Sequence, residues 1–507
     1  MSRIVNSLKN IKFEIAGQAV LLFISFIARI VFVRMLSAQY LGISGLFSNI
    51  LSILSFAELG VGAAIIYSLY KPLSKQDIPK IKALMRLYKR AYITIGIIIA
   101  SLGAILTPFL PFVIKNMPDI PHIQIIYLMF VMNSALSYFF SYKSSLIIAD
   151  QKKYITSYYR YLFFAALNII QMAFLLLTRD YMLYLGFQIL FTLLENIIVS
   201  RKADRLYPYI KDRDAEQLDA ETKNTIVRNI KAMICHKIGG IVVNGTDSLL
   251  LSKFIGVVAV GLYSNYLLII NAINQVFNMI FEAAAASIGN LWATQTKEKS
   301  CFVFNCINFA GFWGFGFASI CLFNLFNPFI QIWLGKEYLF PLSLVLVIVI
   351  NFYLTGMRKS ILTFRDALGL YWYDRYKPLF EAGINLIASI ILVKKVGMTG
   401  IFIGTTISTL STCFWVEPYV LYKYGFESRV APYFIKYAVY TAVLFLGGAI
   451  TSFICSLIGE GTITVFVIKA AVCFTVPNIV FLIAFYKTEE FKYLMQILNA
   501  ELKKKYA

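Results

Sequence analysis

The feature that most constrains this chain is a succession of apolar runs of about 20 residues or more, separated by short polar stretches. A helix of that length spans roughly 30 Å, the thickness of a bilayer's hydrocarbon core. A barrel strand would need ~10 residues of alternating polarity, and these runs do not alternate. Inside lipid every backbone N–H and C=O must be bonded within the protein, so such runs become helices. Composition closes the other routes. Hydrophobic residues make up 59% of the 507 and charged residues 14%, against roughly 45–50% and about 25% in soluble domains. A water-soluble fold of this size cannot hide so much apolar surface, and a disordered chain is far more polar. The expected fold class is an all-α polytopic membrane protein.

Reading runs of about 20 residues gives about 14 spans: 14–36, 41–66, 91–113, 123–148, 155–177, 182–200, 229–254, 257–283, 302–323, 342–363, 378–393, 399–420, 434–457 and 463–486. The first run carries Arg29 and Arg34 and lacks a small-residue cleavage site, so it is expected to remain a span rather than act as a signal peptide. With both termini cytoplasmic, about 37 of the 47 Lys and Arg fall in the N-terminus, the even-numbered loops and the tail; about 7 fall on the opposite side and about 3 within spans. That bias supports an even number of crossings with both ends inside. It also accounts for the net charge of +21, and no nucleic-acid partner is expected. The seven cysteines lie mostly in apolar runs without a CxxC pair, and there are only two histidines. Free thiols, and no metal or other cofactor, are expected. The longest external loop is expected from about Asn324 to Pro341, with Trp333 at the interface. Basic amphipathic segments at Ser2–Phe13, Asp77–Arg90 and Thr488–Lys505 are expected to lie on the cytoplasmic leaflet. In the last of these Phe491, Leu494 and Leu498 share one face.

The chain also resembles itself. Arg34-Met35-Leu36-Ser37 followed by Leu41-Gly42-Ile43 matches Lys253-Phe254-Ile255-Gly256 followed by Val260-Gly261-Leu262, at an offset of about 219 residues. Lys143-Ser144, Asp150, Arg160-Tyr161 and Asn168 match Lys359-Ser360, Asp366, Arg375-Tyr376 and Asn385 at about 215–217. A unit of six spans keeps both copies in one orientation, as in parallel-repeat transporters with a central cleft. The expected organisation is a six-helix bundle over 1–200, a charged cytoplasmic linker over 201–228, and a second bundle over 229–423. Two extra helices and a basic amphipathic tail follow over 424–507.

Polar residues within spans are costly, at ~2.5 kcal/mol or more for a central charge, so each is a candidate for function. The first span carries Gln18, Ser25 and Arg29 on one face; the second carries Ser48, Asn49, Ser52, Ser55 and Glu58. The seventh carries His236, Lys237, Asn244, Asp247 and Ser248, and the eighth Asn271, Asn274, Gln275, Asn278 and Glu282. Arg29, Lys237 and His236 can pair with an anionic group such as phosphate. Asn244, Asn271, Asn274, Asn278, Ser52 and Ser55 suit sugar hydroxyls. Glu58, Asp247 and Glu282 can bind a coupling cation or carry a proton. The plainer alternatives are helix packing for the serines, an ion pair between Arg29 and Asp247, and headgroup contact for His236 and Lys237. Glu381, Glu417 and Lys469, near span ends or in the appendage, are given no role.

Taken together, the basic N-terminal stretch, Arg34-x-Leu36-Ser37, Tyr40-Leu41-Gly42-Ile43 and the second copy Asp247-Ser248-Leu249 … Gly261-Leu262-Tyr263-Ser264 resemble the Wzx-type polysaccharide repeat-unit flippases. That family belongs to the superfamily that also holds lipid II flippases and multidrug-and-toxin exporters. The resemblance implies a bacterial inner-membrane protein that moves undecaprenyl-diphosphate-linked oligosaccharide by ion-driven alternating access through a cationic cavity. Arg29 and Lys237 match that cavity, and Glu58 and Asp247 depart from it. Membrane lipids and the polysaccharide polymerase machinery are the further partners implied, and a monomer is expected. No Gly-rich phosphate loop points to ATP as the driver. No sizeable loop or domain offers the catalytic groups of a polymerase or ligase acting on lipid-linked sugars. A cation-coupled multidrug exporter is the alternative transporter.

Overall fold

The computed structural model describes residues 2–58, 61–212, 218, 224, 226, 245–459 and 461–506, and side chains within these outside 2–16, 56–57, 63–65, 286, 293 and 501–506. The described residues contain helices and no strand. In chain order the helices are α1 (Ser2–Met35), α2 (Ala38–Leu54), α3 (Val61–Lys75), α4 (Ile78–Leu106), α5 (Ile123–Ala149), α6 (Lys153–Thr178) and α7 (Tyr181–Leu206). After residues 245–255 come α8 (Val257–Thr294), α9 (Lys297–Trp333), α10 (Leu342–Leu368), α11 (Lys377–Val396) and α12 (Met398–Phe426). The last are α13 (Ala431–Ser456), α14 (Ile463–Phe485) and α15 (Glu489–Tyr506). Among the described residues, eleven helices are long and apolar enough to cross a membrane. A helix stands at each expected span, save that residues 229–244 of the seventh lie outside the described set.

Four expectations are corrected. The second span is not one helix: α2 ends at Leu54, a 3-10 turn runs Ser55–Glu58, and α3 begins at Val61. Ser55 turns its hydroxyl back onto the Leu51 carbonyl (2.8 Å), a bond that competes with the helical ladder and bends it. The external loop expected at Asn324–Pro341 is mostly helix, because α9 continues to Trp333 through Pro328. The amphipathic stretches Ser2–Phe13 and Asp77–Arg90 are the opening turns of α1 and α4 rather than separate elements. The tail helix α15 is covered by protein only at its start, while Met495, Ile497 and Leu498 stay exposed. Phe491 stacks on Trp313 at 5.9 Å, Tyr493 meets Phe302 edge-on at 5.3 Å, and Lys436 pairs with Glu490.

The chain divides into two compact units, Met1–Gly261 and Leu262–Ala507. In the first, α4, α5 and α7 share a core that includes Leu84, Tyr88, Ile95, Ile99, Leu146 and Ala203. In the second, α9 is the central helix. Its Phe304, Phe309, Phe312 and Phe315 are buried against rings that include Phe364, Tyr440 and Phe481. Each unit contains a polar-stapled hairpin. The Gln171 amide donates to the Tyr184 carbonyl (2.9 Å) between α6 and α7, and the Ser389 hydroxyl donates to the Ile401 carbonyl (3.0 Å) between α11 and α12. Asn168 and Asn385, matched by the sequence repeat, are both buried in the first helix of their hairpin.

Gly42 and Gly261, also matched by the repeat, lie against each other within the first unit. A Cβ on Gly42 would fall 2.0 Å from the Val257 carbonyl oxygen, and one on Gly261 would fall 2.9 Å from the Gly42 nitrogen. Such close backbone approach is the usual use of glycine between membrane helices. Gly42→Val is therefore expected to destabilise the protein by about 1–3 kcal/mol or more, read as a lowered unfolding temperature in detergent. Gly186→Val, where a Cβ meets nothing within 4 Å, is the control expected to leave it near the parent.

Candidate functional site

The first unit gathers polar groups where α2 breaks. Glu58 lies in the 3-10 turn, and its Oε2 accepts from the Tyr138 hydroxyl at 2.9 Å. Tyr92 is also within reach of Glu58 and of Ser145, and the Tyr88 hydroxyl faces the Gly62 carbonyl at 3.4 Å. A Cβ on Gly62 would fall 2.7 Å from the Tyr92 hydroxyl and 3.5 Å from Glu58 Oε1, so that glycine makes room for the cluster. Among the described residues, the surrounding partners are neutral hydroxyls held by a buried aromatic core. A carboxylate in such a setting can take up or release a proton or a small cation without breaking an ion pair.

Along α2, Asn49 donates to the Gly45 carbonyl and to the Ser248 hydroxyl, both at 2.9 Å. Beside Ser248, Asp247 is buried. Ser52 is exposed, and Ser55 is spent on the Leu51 carbonyl. Arg29 is half-buried on α1, with Tyr184 in electrostatic range. His236, Lys237 and Asn244 lie outside the described residues.

In the second unit, Asn271, Asn274, Asn278 and Glu282 fall within an arc of about 80° on α8. Phe277 and Phe281, along the edge of that arc nearest Asn274, stack on Phe315 of α9 at 4.1 and 6.3 Å. The amide row borders that packing: Asn271 and Glu282 are exposed, Asn274 and Asn278 half-buried. Lys359 of α10, half-buried, lies in electrostatic range of Glu282.

Reasoning from sequence missed the most elaborate polar cluster. Arg358 of α10 forks onto Glu417 of α12, Nε to Oε2 at 3.0 Å and Nη2 to Oε1 at 2.7 Å, and reaches Glu381 of α11 at 3.3 Å. Lys377, at the start of α11, also bonds Glu417. Glu417 is fully buried, and Lys377 and Glu381 nearly so. Two cations and two carboxylates cancel, which is the condition for burying any of them. By the expected bounds Arg358 falls inside the tenth span and Lys377 one residue before the eleventh, and the two glutamates were given no role. In the structure α10 runs on to Leu368, and α11 starts at Lys377 with Pro378 in its first turn. Glu417 is flanked by π-helical turns at Thr409–Cys413 and Leu421–Phe426, an irregularity frequent at functional positions. The signal available was two carboxylates inside apolar runs; their partners come from other helices and leave no mark in the local sequence.

Arg358→Ala should cost about 3–5 kcal/mol, because it leaves buried carboxylates uncompensated. The double variant Arg358→Met with Glu417→Met removes one charge of each sign and should recover part of that loss. Thermal unfolding in detergent reads both, and a double variant as unstable as the summed singles would count against the network.

No protein-family model and no curated protein matches the chain. Solved structures do. The lipid II flippase MurJ, in an inward closed conformation, superposes with a TM-score of 0.62 at 13% identity, covering 95% of this chain and 98% of that one. An inward-facing multidrug resistance MATE family transporter of the MOP superfamily gives 0.60 at 13%, covering 79% and 94%. The Vibrio cholerae MATE transporter VcmN gives 0.57 at 12%, covering 85% and 99%. At such identity the likeness is one of architecture: the chain has the all-α, polytopic membrane fold of MOP type.

Proposed function

We propose that this chain flips undecaprenyl-diphosphate-linked oligosaccharide repeat units across the bacterial cytoplasmic membrane, by alternating access, for surface polysaccharide assembly. The observation that carries the reading is the extent of the likeness to a lipid II flippase. With 95% of the chain covered, only about 25 residues stay unmatched. The two MATE transporters cover 79% and 85%. A flippase and an exporter share the bundle, and the greater extent of the match favours the flippase.

The polar inventory supports the same reading. Arg29, Lys237 and His236 are the candidates for the diphosphate, joined by Lys359, a half-buried cation outside the neutral Arg358–Glu417 network. Asn244, Asn271, Asn274, Asn278, Ser52 and Ser55 offer neutral donors for sugar hydroxyls. Glu58, with its hydroxyl neighbours, is the favoured coupling group, ahead of Asp247 and Glu282. The process makes and breaks no covalent bond. Both termini and the basic loops lie on the cytoplasmic side, where the substrate is assembled.

Vesicles containing the purified protein and a fluorescent undecaprenyl-diphosphate saccharide test the proposal. The protein should make the inner-leaflet pool accessible to an external quencher. Arg29→Ala should slow this by about tenfold or more, the loss of one charge-assisted contact, and Glu58→Gln should abolish its dependence on an imposed ion gradient. Absence of flipping together with export of cationic dyes would replace the flippase by the exporter.

A further inference from the structure

The hairpin between α10 and α11 carries Tyr371, Trp372, Tyr373 and Tyr376 within six residues, and the end of α12 adds Tyr419 and Tyr424. All six are exposed, Trp372 to 68%. Six exposed rings scattered along spans would be an ordinary interfacial belt. These are assembled into one platform. Gly369, at φ +70°, ends α10 in a conformation that a side chain rarely adopts, and the chain turns sharply there. Buried Arg365 then ties the hairpin down, donating to Asp374 at 2.6 Å and to Asp366 at 2.9 Å while lying over the Tyr371 ring. Tyr373 stacks on Tyr424 with ring centres 3.8 Å apart and planes 12° apart.

Two cations sit on this platform, and neither is held by a carboxylate among the described salt bridges. The Arg375 guanidinium lies 3.7 Å over Trp372 and 4.6 Å from the Tyr376 ring centre, with one N–H given to the Trp372 carbonyl at 2.8 Å. Lys423 donates to the Tyr419 hydroxyl at 2.7 Å and lies 5.0 and 5.3 Å from the Tyr419 and Tyr424 rings. Cation–π contact uses the flat face of a guanidinium and leaves its edge, where the N–H donors point, for an anion. A carboxylate would have taken that edge. One turn further into α11, Leu379 and Phe380 are exposed apolar residues, which sets the platform at the level where headgroups begin. Nearby burial and the Asp366 carboxylate push the Tyr371 phenol above its ordinary range, so the hydroxyl stays a neutral donor.

From this geometry we propose that the 370–376 hairpin with Lys423 is a docking station for the headgroup of a polyprenyl-diphosphate-linked saccharide, distinct from the polar groups within the spans. The diphosphate meets the edge of Arg375 and Lys423, and the open faces of Trp372 and Tyr376 stack on the sugar ring. Bulk anionic phospholipid matches less well, because it would use the two cations and leave the exposed rings idle. The inference rests on the proposed function, and places the first encounter with the substrate at the basic side of the membrane.

Wild-type protein and the variants Trp372→Ala, Arg375→Gln and Arg375→Lys, in nanodiscs, would be titrated with three probes: undecaprenyl diphosphate bearing one N-acetylglucosamine, undecaprenyl diphosphate alone, and phosphatidylglycerol. Trp372→Ala should weaken binding of the sugar-bearing probe about tenfold and leave the other two nearly unchanged. Arg375→Gln should weaken both diphosphates, with Arg375→Lys between. In the flipping assay the same variants should raise KM and leave kcat unchanged. Equal losses for all three probes would make this a general headgroup contact and overturn the proposal. Unaltered affinity and KM, with the wild type still flipping, would overturn docking here while the function stands. A wild type that neither binds nor flips the diphosphate lipids would overturn both.

Discussion

A charge carried into hydrocarbon must bring its counter-charge, and that requirement organises the second unit. Arg358, Glu417, Glu381 and Lys377 come from three helices, and each would be untenable alone. Together they fix the register of α10 against the α11–α12 hairpin, because a bidentate guanidinium–carboxylate pair tolerates little sliding. Small residues finish what the charges begin. A Cβ on Gly400 would fall 2.4 Å from the Leu392 backbone, so α11 and α12 close to near backbone contact. The π-turns on either side of Glu417 show where α12 departs from regular winding around this anchor.

The first unit handles its intramembrane carboxylate differently. Among the described residues, Glu58 is met by phenol and hydroxyl groups rather than by cations. A neutral cage stays stable whether its carboxyl is charged or protonated, whereas an ion-pair network must be dismantled to change charge. Under the proposed function, that contrast suits the two clusters to separate work: a fixed joint in one unit, a coupling site in the other. The aromatic platform at 370–376 adds a third kind of polar surface, in which cations are displayed on rings instead of being neutralised.

Much of the helical layout was legible from residues alone. Thirty ångströms of hydrocarbon impose a length, and the apolar runs report it; outside the broken second span, the helix positions agree with the runs wherever both are described. Errors cluster where a local rule competes with a longer-range one. Pro328 marks no end to α9, because a membrane helix has neighbours that satisfy the freed carbonyl. The face of α15 with Phe491 reads as lipid-seeking, and Trp313 covers its first turn while Leu498 stays exposed. The amide row of α8 was found by its spacing, yet only the structure shows that Asn271 and Glu282 are exposed and Asn274 and Asn278 half-buried beside the Phe277 and Phe281 packing. Arg358 and Lys377 passed unremarked because a cation near a span end most often belongs to the headgroups.

By itself, then, the sequence determined that this is a helical membrane protein, nearly where each helix lies, and which residues are too polar for lipid. Transfer into hydrocarbon is a property of consecutive residues and can be read in one dimension. Which charges neutralise one another, which amides face an open surface, and which aromatic rings gather into a platform were decided only by tertiary structure. Those depend on partners far apart along the chain, 80 residues for Glu58 and Tyr138 and 199 for Asn49 and Ser248, and on distances of a few ångströms that no local pattern encodes.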